Sequence, residues 1–294
     1  IAAQEVEQNI ELLLGAGARH FIPVASGGHR TDSRNLLDEQ RRRGVTVVQD
    51  VGALRRLGPG PVLGLFANSH LDYVLDADPT TRPSLSEMTR VALARLSSDP
   101  DGFFLMIEGS RIDHAGHDND AATAAHEVLE FDDAFHVALE FARRNPHTLI
   151  VVTADHETGG LSLGRAVDGT SHYAWHPEVL RRVRRSSESM AARIDAGAEL
   201  TAVLRSDAGI SDLGVAERTQ LRAIKGAALA SAISELVSRR ALVGWTTRGH
   251  TAVDVPVWAF GAGAGQLRGS RPHAALGRLI ARLAGLEIGT LTTR

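Results

Sequence analysis

Two strongly apolar runs flank one long amphipathic segment, and this alternation constrains the fold more than any other feature of the sequence. The runs are Phe103–Ile107 and Thr148–Val152. Between them, Ala121–Arg144 repeats its apolar residues at helical spacing. Strand, helix and strand in this order predict a βαβ unit, in which the strands are parallel and helices cover the sheet. The residues therefore predict an α/β fold.

Weaker signals extend this pattern along the chain. Further strands are predicted at Ile10–Leu14, Val45–Val48, Val62–Phe66 and Val253–Phe260. Further helices are predicted at Ile1–Gln8, at Arg30–Arg43, from Ser84 to a stop near Asp99-Pro100, and at His273–Leu286. Residues 165–248 are rich in Arg, Ala, Ser and Glu, and they are predicted to form a helical insertion with one strong helix at Ala216–Arg240. We expect one domain over residues 1–294, with this insertion inside it.

Composition limits the chemistry and the partners. The chain has no cysteine, so disulfides and thiolate metal sites are excluded, and any metal must be held by His, Asp or Glu. A net charge of −3 argues against nucleic acid as the main partner. No apolar run approaches the roughly 18–20 residues that span a bilayer. No signal peptide is visible, but the chain begins at Ile1 rather than Met, so we expect that the natural N-terminus has been lost or processed.

Acids and histidines follow the predicted strands at the point where each strand ends. In open α/β sheets, ligands bind beyond the carboxyl ends of the strands, so these side chains can converge. Four residues separate Asp113 from His117, which places both on one face of a helical turn. A carboxylate with two imidazoles suits catalytic Zn²⁺, and a further carboxylate with water suits Mg²⁺. The candidate ligands are Glu108, Asp113, His117, Asp155, His156 and His250.

Each of these features also has a purely structural interpretation. Asp113 and His117 have the spacing of an ordinary surface pair or cap on a helix. Asp155-His156 is also typical of a turn after a strand, and Glu108 of a turn or a salt bridge. His250 alone carries almost no information. It is their joint placement at strand ends, in this order, that favours a metal site.

Three stretches resemble the alkaline phosphatase family closely. They are Phe103–His117, Thr153–Gly160, and Gly249-His250-Thr251 followed by Val255–Gly261. Leu12–Gly17 and Gly64–Ala67 look like the middle region of the same family. The resemblance covers nearly the whole chain and is weakest over residues 165–248. It implies a three-layer α/β/α sandwich of the alkaline phosphatase type, incomplete at the N-terminus.

The resemblance also implies an activity and a set of ions. Family members hydrolyse phosphate monoesters through a phosphoserine intermediate, releasing inorganic phosphate, and use two Zn²⁺ and one Mg²⁺. One zinc would be held by Asp113, His117 and His250, the second by Asp155 and His156, and the magnesium by Glu108. His114 follows the zinc aspartate, and it would contact phosphate through water or another ion. Family members are often dimers exported to the periplasm or cell surface, so we expect a homodimer that is periplasmic or secreted.

The sequence departs from the family pattern at the nucleophile. The family's serine lies in an Asp-Ser-Ala-type motif, and Asp32-Ser33-Arg34 resembles this motif only superficially. The family's first aspartate, its magnesium Thr or Ser, and its phosphate-binding arginine are also missing. We therefore expect a C-terminal part of an alkaline phosphatase that is inactive alone, and we predict no catalytic residue in it. The alternatives are a non-catalytic metal-binding remnant, a subunit completed by another chain, or a related phosphodiesterase or sulfatase.

Overall fold

The computed structural model describes residues 1–8, 10–167 and 169–286. A parallel three-stranded sheet forms in the N-terminal part of the chain. In this sheet, β1 (Leu12–Gly15) and β2 (Thr46–Val48) both pair with β3 (Val62–Leu65), in the order β1-β3-β2. Helix α1 (Ala2–Glu7) precedes β1, whereas α2 (Leu36–Arg42) lies between β1 and β2, and α3 (Val51–Arg55) lies between β2 and β3. All four residues of β3 are buried, as expected for a central strand covered on both faces.

Three helices follow this sheet in the chain and precede the next strand. They are α4 (Leu85–Leu96), α5 (Arg111–His117) and α6 (Ala121–Arg144). Ser84 caps α4 by accepting a hydrogen bond from the Glu87 amide at 3.1 Å, as the capping-box pattern predicts. Asp120 caps α6 in the same way, through the Thr123 amide. The prediction for α6 is confirmed over its full length.

The other ladders that the described residues form are antiparallel and two-stranded. They pair β4 (Leu149–Thr153) with β11 (Val257–Gly261), β5 (Glu157–Thr158) with β10 (His250–Thr251), β6 (Ser162–Leu163) with β9 (Val243–Gly244), and β7 (Arg165–Val167) with β8 (Thr170–His172). The first three pairs are nested, so the chain that leaves through β4, β5 and β6 returns through β9, β10 and β11. The last helix, α12 (His273–Leu283), packs Leu276 and Leu279 against β4 and β11.

Residues 165–248 are mainly helical after the β7–β8 hairpin. The helices are α7 (Pro177–Leu180), α8 (Ser187–Asp195), α9 (Leu200–Asp207), α10 (Val215–Arg222) and α11 (Gly226–Ala241). Their apolar faces form a buried cluster that includes Met190, Leu204, Leu229 and Ile233, each with no exposed surface. That this region is an insertion in a single domain over residues 1–294 stays a prediction, and residues 287–294 lie outside the described part.

Phe103–Ile107 is not a strand, so that prediction and the parallel βαβ unit built on it are wrong. No backbone–backbone hydrogen bond involves 103–108 within the described ranges, and β4 pairs only with the antiparallel β11 there. Phe104 and Met106 are 67% and 73% exposed. The physical reason is that apolar composition favours a strand locally, but a strand forms only where a neighbouring strand supplies hydrogen-bonding partners.

Three predicted helices have different bounds. Ala216–Arg240 is two helices, because Lys225 is extended and Gly226 has φ +56° while its amide donates to Asp195 Oδ2 at 2.7 Å. The helix predicted at Arg30–Arg43 begins only at Leu36, where the Asn35 side chain caps it. The last helix ends at Leu283 rather than Leu286. The α/β class itself is confirmed.

None of the helices in these described ranges combines the length and the apolar character that a membrane crossing requires.

Candidate metal centre

The short helix α5 presents a carboxylate and an imidazole on one face. Asp113 Oδ1 lies 3.4 Å from His117 Nε2, since the two residues are four apart on the helix. Gly116 between them is buried, and a Cβ there would lie 3.0 Å from both the Thr158 Cγ2 and the Thr158 carbonyl oxygen. A glycine at this position therefore lets α5 approach β5 closely.

The pairing of β5 with β10 adds a histidine from far along the sequence. His250 lies opposite Thr158 in this ladder. Its Nε2 is 3.3 Å from His117 Nε2 and 3.8 Å from Asp113 Oδ1. Three potential ligand atoms from α5 and β10 thus lie together, and they belong to the residues that the family resemblance assigns to the first zinc.

The spacing of these three atoms fits tetrahedral zinc. With bonds of about 2.0–2.1 Å, two ligand atoms of a regular tetrahedron are roughly 3.3–3.4 Å apart. The observed separations are 3.3, 3.4 and 3.8 Å. One carboxylate and two imidazoles, with the fourth position open, is also a donor set that catalytic zinc takes. The residues present therefore fit this ion.

A second pair of ligand atoms lies on the loop between β4 and β5. Asp155 Oδ2 is 3.3 Å from His156 Nε2, again close to a tetrahedral edge, and the Asp155 side chain is 87% exposed. The ring of His156 stacks on the ring of His250, with centroids 3.6 Å apart and planes 21° from parallel. The two groups are therefore in direct contact.

His156 lies close to both groups of candidate ligands, and the contacts of its two ring nitrogens show which group it belongs to. Asp113, His156 and His250 each offer an atom within 4.8 Å of the other two. However, His156 approaches Asp113 through Nδ1, at 4.0 Å, and that nitrogen is already hydrogen-bonded to Thr158 Oγ1 at 3.1 Å. Its Nε2 faces Asp155 instead. The geometry therefore favours grouping His156 with Asp155, and His117 with Asp113 and His250.

A backbone carbonyl orients the ring of His117. The Arg248 carbonyl oxygen lies 2.6 Å from His117 Nδ1, which donates to it because a carbonyl oxygen can only accept. This fixes the proton on Nδ1 and leaves the lone pair of Nε2 directed at the cluster. Histidines that bind metals commonly have their second nitrogen engaged in this way.

Glu108 is the predicted magnesium ligand. It is exposed and lies in the segment that precedes α5. Across the described ranges, it forms no hydrogen bond or ion pair with the other candidate ligands. The structure thus brings five of the six candidates into two adjoining groups, and the assignment of Glu108 to magnesium stays a prediction.

His114 contacts a second histidine rather than the cluster. Its ring centroid is 4.4 Å from that of His70. Burial, and then the charge of Arg111, lowers the pKa of His114, while burial, and then the charge of His114, lowers the pKa of His70. Both rings are therefore biased toward the neutral form. The contact of His114 with phosphate stays a prediction.

A cavity of about 880 Å³ adjoins the second pair of ligand atoms. Asp155 and His156 line one part of it, and most of the remainder comes from residues 251–259 and 264–273. Arg268, Arg271 and His273 are among its lining residues. An anionic molecule in this cavity would meet the guanidinium groups of Arg268 and Arg271, and also the carboxylate of Asp254, before it reached Asp155.

Two residues that contact the candidate ligands were not predicted from the sequence. Thr158 contacts both groups. It could have been predicted from its position two residues after His156, because residues two apart lie on one face of an extended chain. Arg248 acts through its main-chain carbonyl, and a backbone contact leaves no signal in the residue type.

Comparison with known protein families gives a consistent result. A family model described as alkaline phosphatase matches residues 1–286. The chain is 38% identical over 262 residues to alkaline phosphatase 3 of Bacillus subtilis, which covers 87% of this chain and 54% of that protein. It is 37% identical over 288 residues to the repressible alkaline phosphatase of Saccharomyces cerevisiae, covering 85% and 51%. The chain spans about half the length of these curated relatives.

A solved structure agrees with these matches. The fold superimposes on the crystal structure of a cold-active alkaline phosphatase from the psychrophile Shewanella sp. with a TM-score of 0.85 at 32% identity. The match covers 96% of this chain and 67% of that one. The similarity therefore extends over nearly the whole chain.

Proposed function

The chain belongs to the alkaline phosphatase family, and we propose that it forms the metal-binding part of a phosphate monoester hydrolase. The observation that carries this proposal is the near-tetrahedral spacing of Asp113 Oδ1, His117 Nε2 and His250 Nε2. These three residues would hold the first of two zinc ions. Bound ions would supply Lewis-acid stabilisation of the charge on the phosphoryl oxygens.

The second zinc and the magnesium would have fewer ligands from this chain. Asp155 and His156 would hold the second zinc, and Glu108 the magnesium. Zinc takes four ligands and magnesium six, so both sites have positions that these residues do not fill. Asp155 borders the cavity described above, so we propose that the phosphate monoester approaches the ions from that side.

The nucleophile is expected to come from residues that this chain does not contain. From the family resemblance, we propose that the family's serine and phosphate-binding arginine have no counterpart among these 294 residues. We therefore expect this chain alone to bind zinc but not to turn over substrate. From the family we also propose a homodimer in the periplasm or outside the cell.

Zinc binding by this chain tests the ligand assignment directly. We would titrate the chain with Zn²⁺ against a chromophoric chelator, and compare His250→Ala with His147→Ala, a matched change at an exposed histidine that is not among the candidate ligands. His250→Ala is expected to weaken the tighter site by more than about 100-fold, because losing a ligand exceeds the 10–100-fold typical of losing a residue that supports one. An unchanged affinity would contradict the assignment.

An activity assay tests the hydrolase. A chromogenic phosphate monoester would be supplied with Zn²⁺ and Mg²⁺, to this chain and to a longer form that includes the coding sequence upstream of Ile1. Turnover by the longer form alone is the expected result. Turnover by this chain alone would show that a nucleophile is present here, and zinc binding without turnover by either form would favour the metal-binding remnant.

A further inference from the structure

The Thr158 hydroxyl connects the two groups of candidate ligands. Thr158 Oγ1 lies 2.6 Å from Asp113 Oδ1 and 3.1 Å from His156 Nδ1. Asp113 belongs to the first group and His156 to the second. Among the described residues, Thr158 is the side chain outside both groups that hydrogen-bonds a member of each.

The directions of these two hydrogen bonds follow from the chemistry of the three groups. An ionised carboxylate only accepts, so the Thr158 hydroxyl proton must point to Asp113. The hydroxyl oxygen then has only lone pairs to offer His156, so His156 Nδ1 must carry a proton and donate it. In a neutral imidazole this leaves the lone pair on Nε2, the nitrogen that faces Asp155 at 3.3 Å.

The backbone around Thr158 holds the hydroxyl in place. Its main chain pairs with His250 in the β5–β10 ladder. On another side it packs against Gly116 of α5, where an added Cβ would lie only 3.0–3.1 Å from three of its atoms. Thr158 thus contacts the elements that carry Asp113 and His250, and it follows His156 by two residues.

We propose that Thr158 is a positioning residue that couples the two zinc sites, by fixing the tautomer of His156 and the orientation of the Asp113 carboxylate. This inference rests on the proposed function for the identity of the ions. Replacing the hydroxyl by a methyl group would leave His156 Nδ1–H without its acceptor and Asp113 without its donor. Zinc affinity is therefore expected to fall at both sites together, by about 10–100-fold each.

The test compares three variants in the chelator competition with Zn²⁺. Thr158→Val keeps the side-chain shape without the hydroxyl, and Thr158→Ser keeps the hydroxyl. Thr246→Val is the matched control, since the Thr246 hydroxyl donates to the nearby Gly160 carbonyl at 3.2 Å. We expect both zinc affinities to fall in Thr158→Val, and to stay within about 3-fold of the parent chain in the other two. Loss at one site only, unchanged affinity in Thr158→Val, or no rescue by serine would overturn the proposal.

A second measurement does not depend on zinc. Imidazole ¹⁵N chemical shifts of His156 in the metal-free chain report which nitrogen carries the proton, and we expect Nδ1–H in the parent and a loss of this preference in Thr158→Val. A proton on Nε2 of the parent without one on Nδ1 would overturn the proposal even if Thr158→Val failed to fold. If the parent chain bound no zinc but showed Nδ1–H at His156, the proposed function would fail while the hydrogen-bonded arrangement stood.

Discussion

Asp120 joins the N-termini of two helices, and its replacement by alanine is expected to destabilise the protein strongly. Its Oδ1 accepts from the Thr123 amide at 3.1 Å and so caps α6. Its Oδ2 accepts from both the amide and the hydroxyl of Ser187, at 2.8 and 2.7 Å, at the first residue of α8. Asp120 is 4% exposed and Ser187 is 2% exposed, so water does not replace these bonds.

The loss in free energy of unfolding can be estimated from the hydrogen-bonding groups that Asp120→Ala leaves without a partner. Loss of an N-cap costs about 1 kcal/mol. Each of the two buried Ser187 donors left without an acceptor costs about 1–3 kcal/mol. Asp120→Ala is therefore expected to lower the free energy of unfolding by about 3–7 kcal/mol. The matched control is Asp50→Ala, because Asp50 is exposed and accepts one bond, from the Ala53 amide at 2.7 Å. That change should cost about 1 kcal/mol.

Urea unfolding, followed by circular dichroism and tryptophan fluorescence, measures the difference between these two variants. Both signals should move together, with an unchanged dependence on urea, if the folded and unfolded states are the same in each variant. If Asp120→Ala lost no more stability than Asp50→Ala, the buried contacts with Ser187 would not contribute as argued, and the reasoning would be refuted.

Two further predictions concern ionisable side chains on α6 and just before α4. Arg82 and Glu130 form a buried bidentate pair, with N–O distances of 2.7 and 2.6 Å. Arg82→Leu should therefore lower the free energy of unfolding in urea by about 3–5 kcal/mol. The double change Arg82→Leu/Glu130→Leu should lower it by clearly less than the sum of the two single changes. Burial, opposed by a hydrogen bond from the Val74 amide, raises the pKa of Glu127 above its ordinary 4.5. Folded Glu127 thus keeps its proton at pH values where the unfolded chain has released it, and stability falls as pH rises from 4.5 through the raised value. Glu127→Gln should remove that fall, so its stability relative to the parent should increase across this range; a difference that did not change with pH would contradict the burial argument.

Local signals in the sequence predicted some elements closely and others wrongly. The bounds of α6 were predicted correctly because a helix forms its hydrogen bonds within one segment, so apolar spacing along that segment suffices. Phe103–Ile107 has the composition of a strand, but its pairing depends on another part of the polypeptide. The split at Lys225 and Gly226 was missed because one glycine in a helical pattern does not by itself show a left-handed backbone.

The candidate site was predictable to the extent that chain spacing determined it. The four-residue interval placed Asp113 and His117 on one face, and the helix α5 agrees with this. Spacing could not show that the β5–β10 register sets His250 opposite Thr158. Nor could it show which nitrogen of His156 faces Asp155, since that depends on the hydroxyl of Thr158.

The β6–β9 ladder has a consequence for how the size of this protein can vary. Ser162 pairs with Gly244, and Leu163 with Val243, so residues 164–242 leave and return at one point. His156 and His250 lie just outside that point, and their separation is set by the β5–β10 pairing rather than by the length of chain between them. Each doubling of a closed loop costs only about 0.6 kcal/mol of entropy. The segment can therefore be lengthened, shortened or exchanged for another folded unit while the ligands keep their places, provided that the new unit still covers Ala122 of α6.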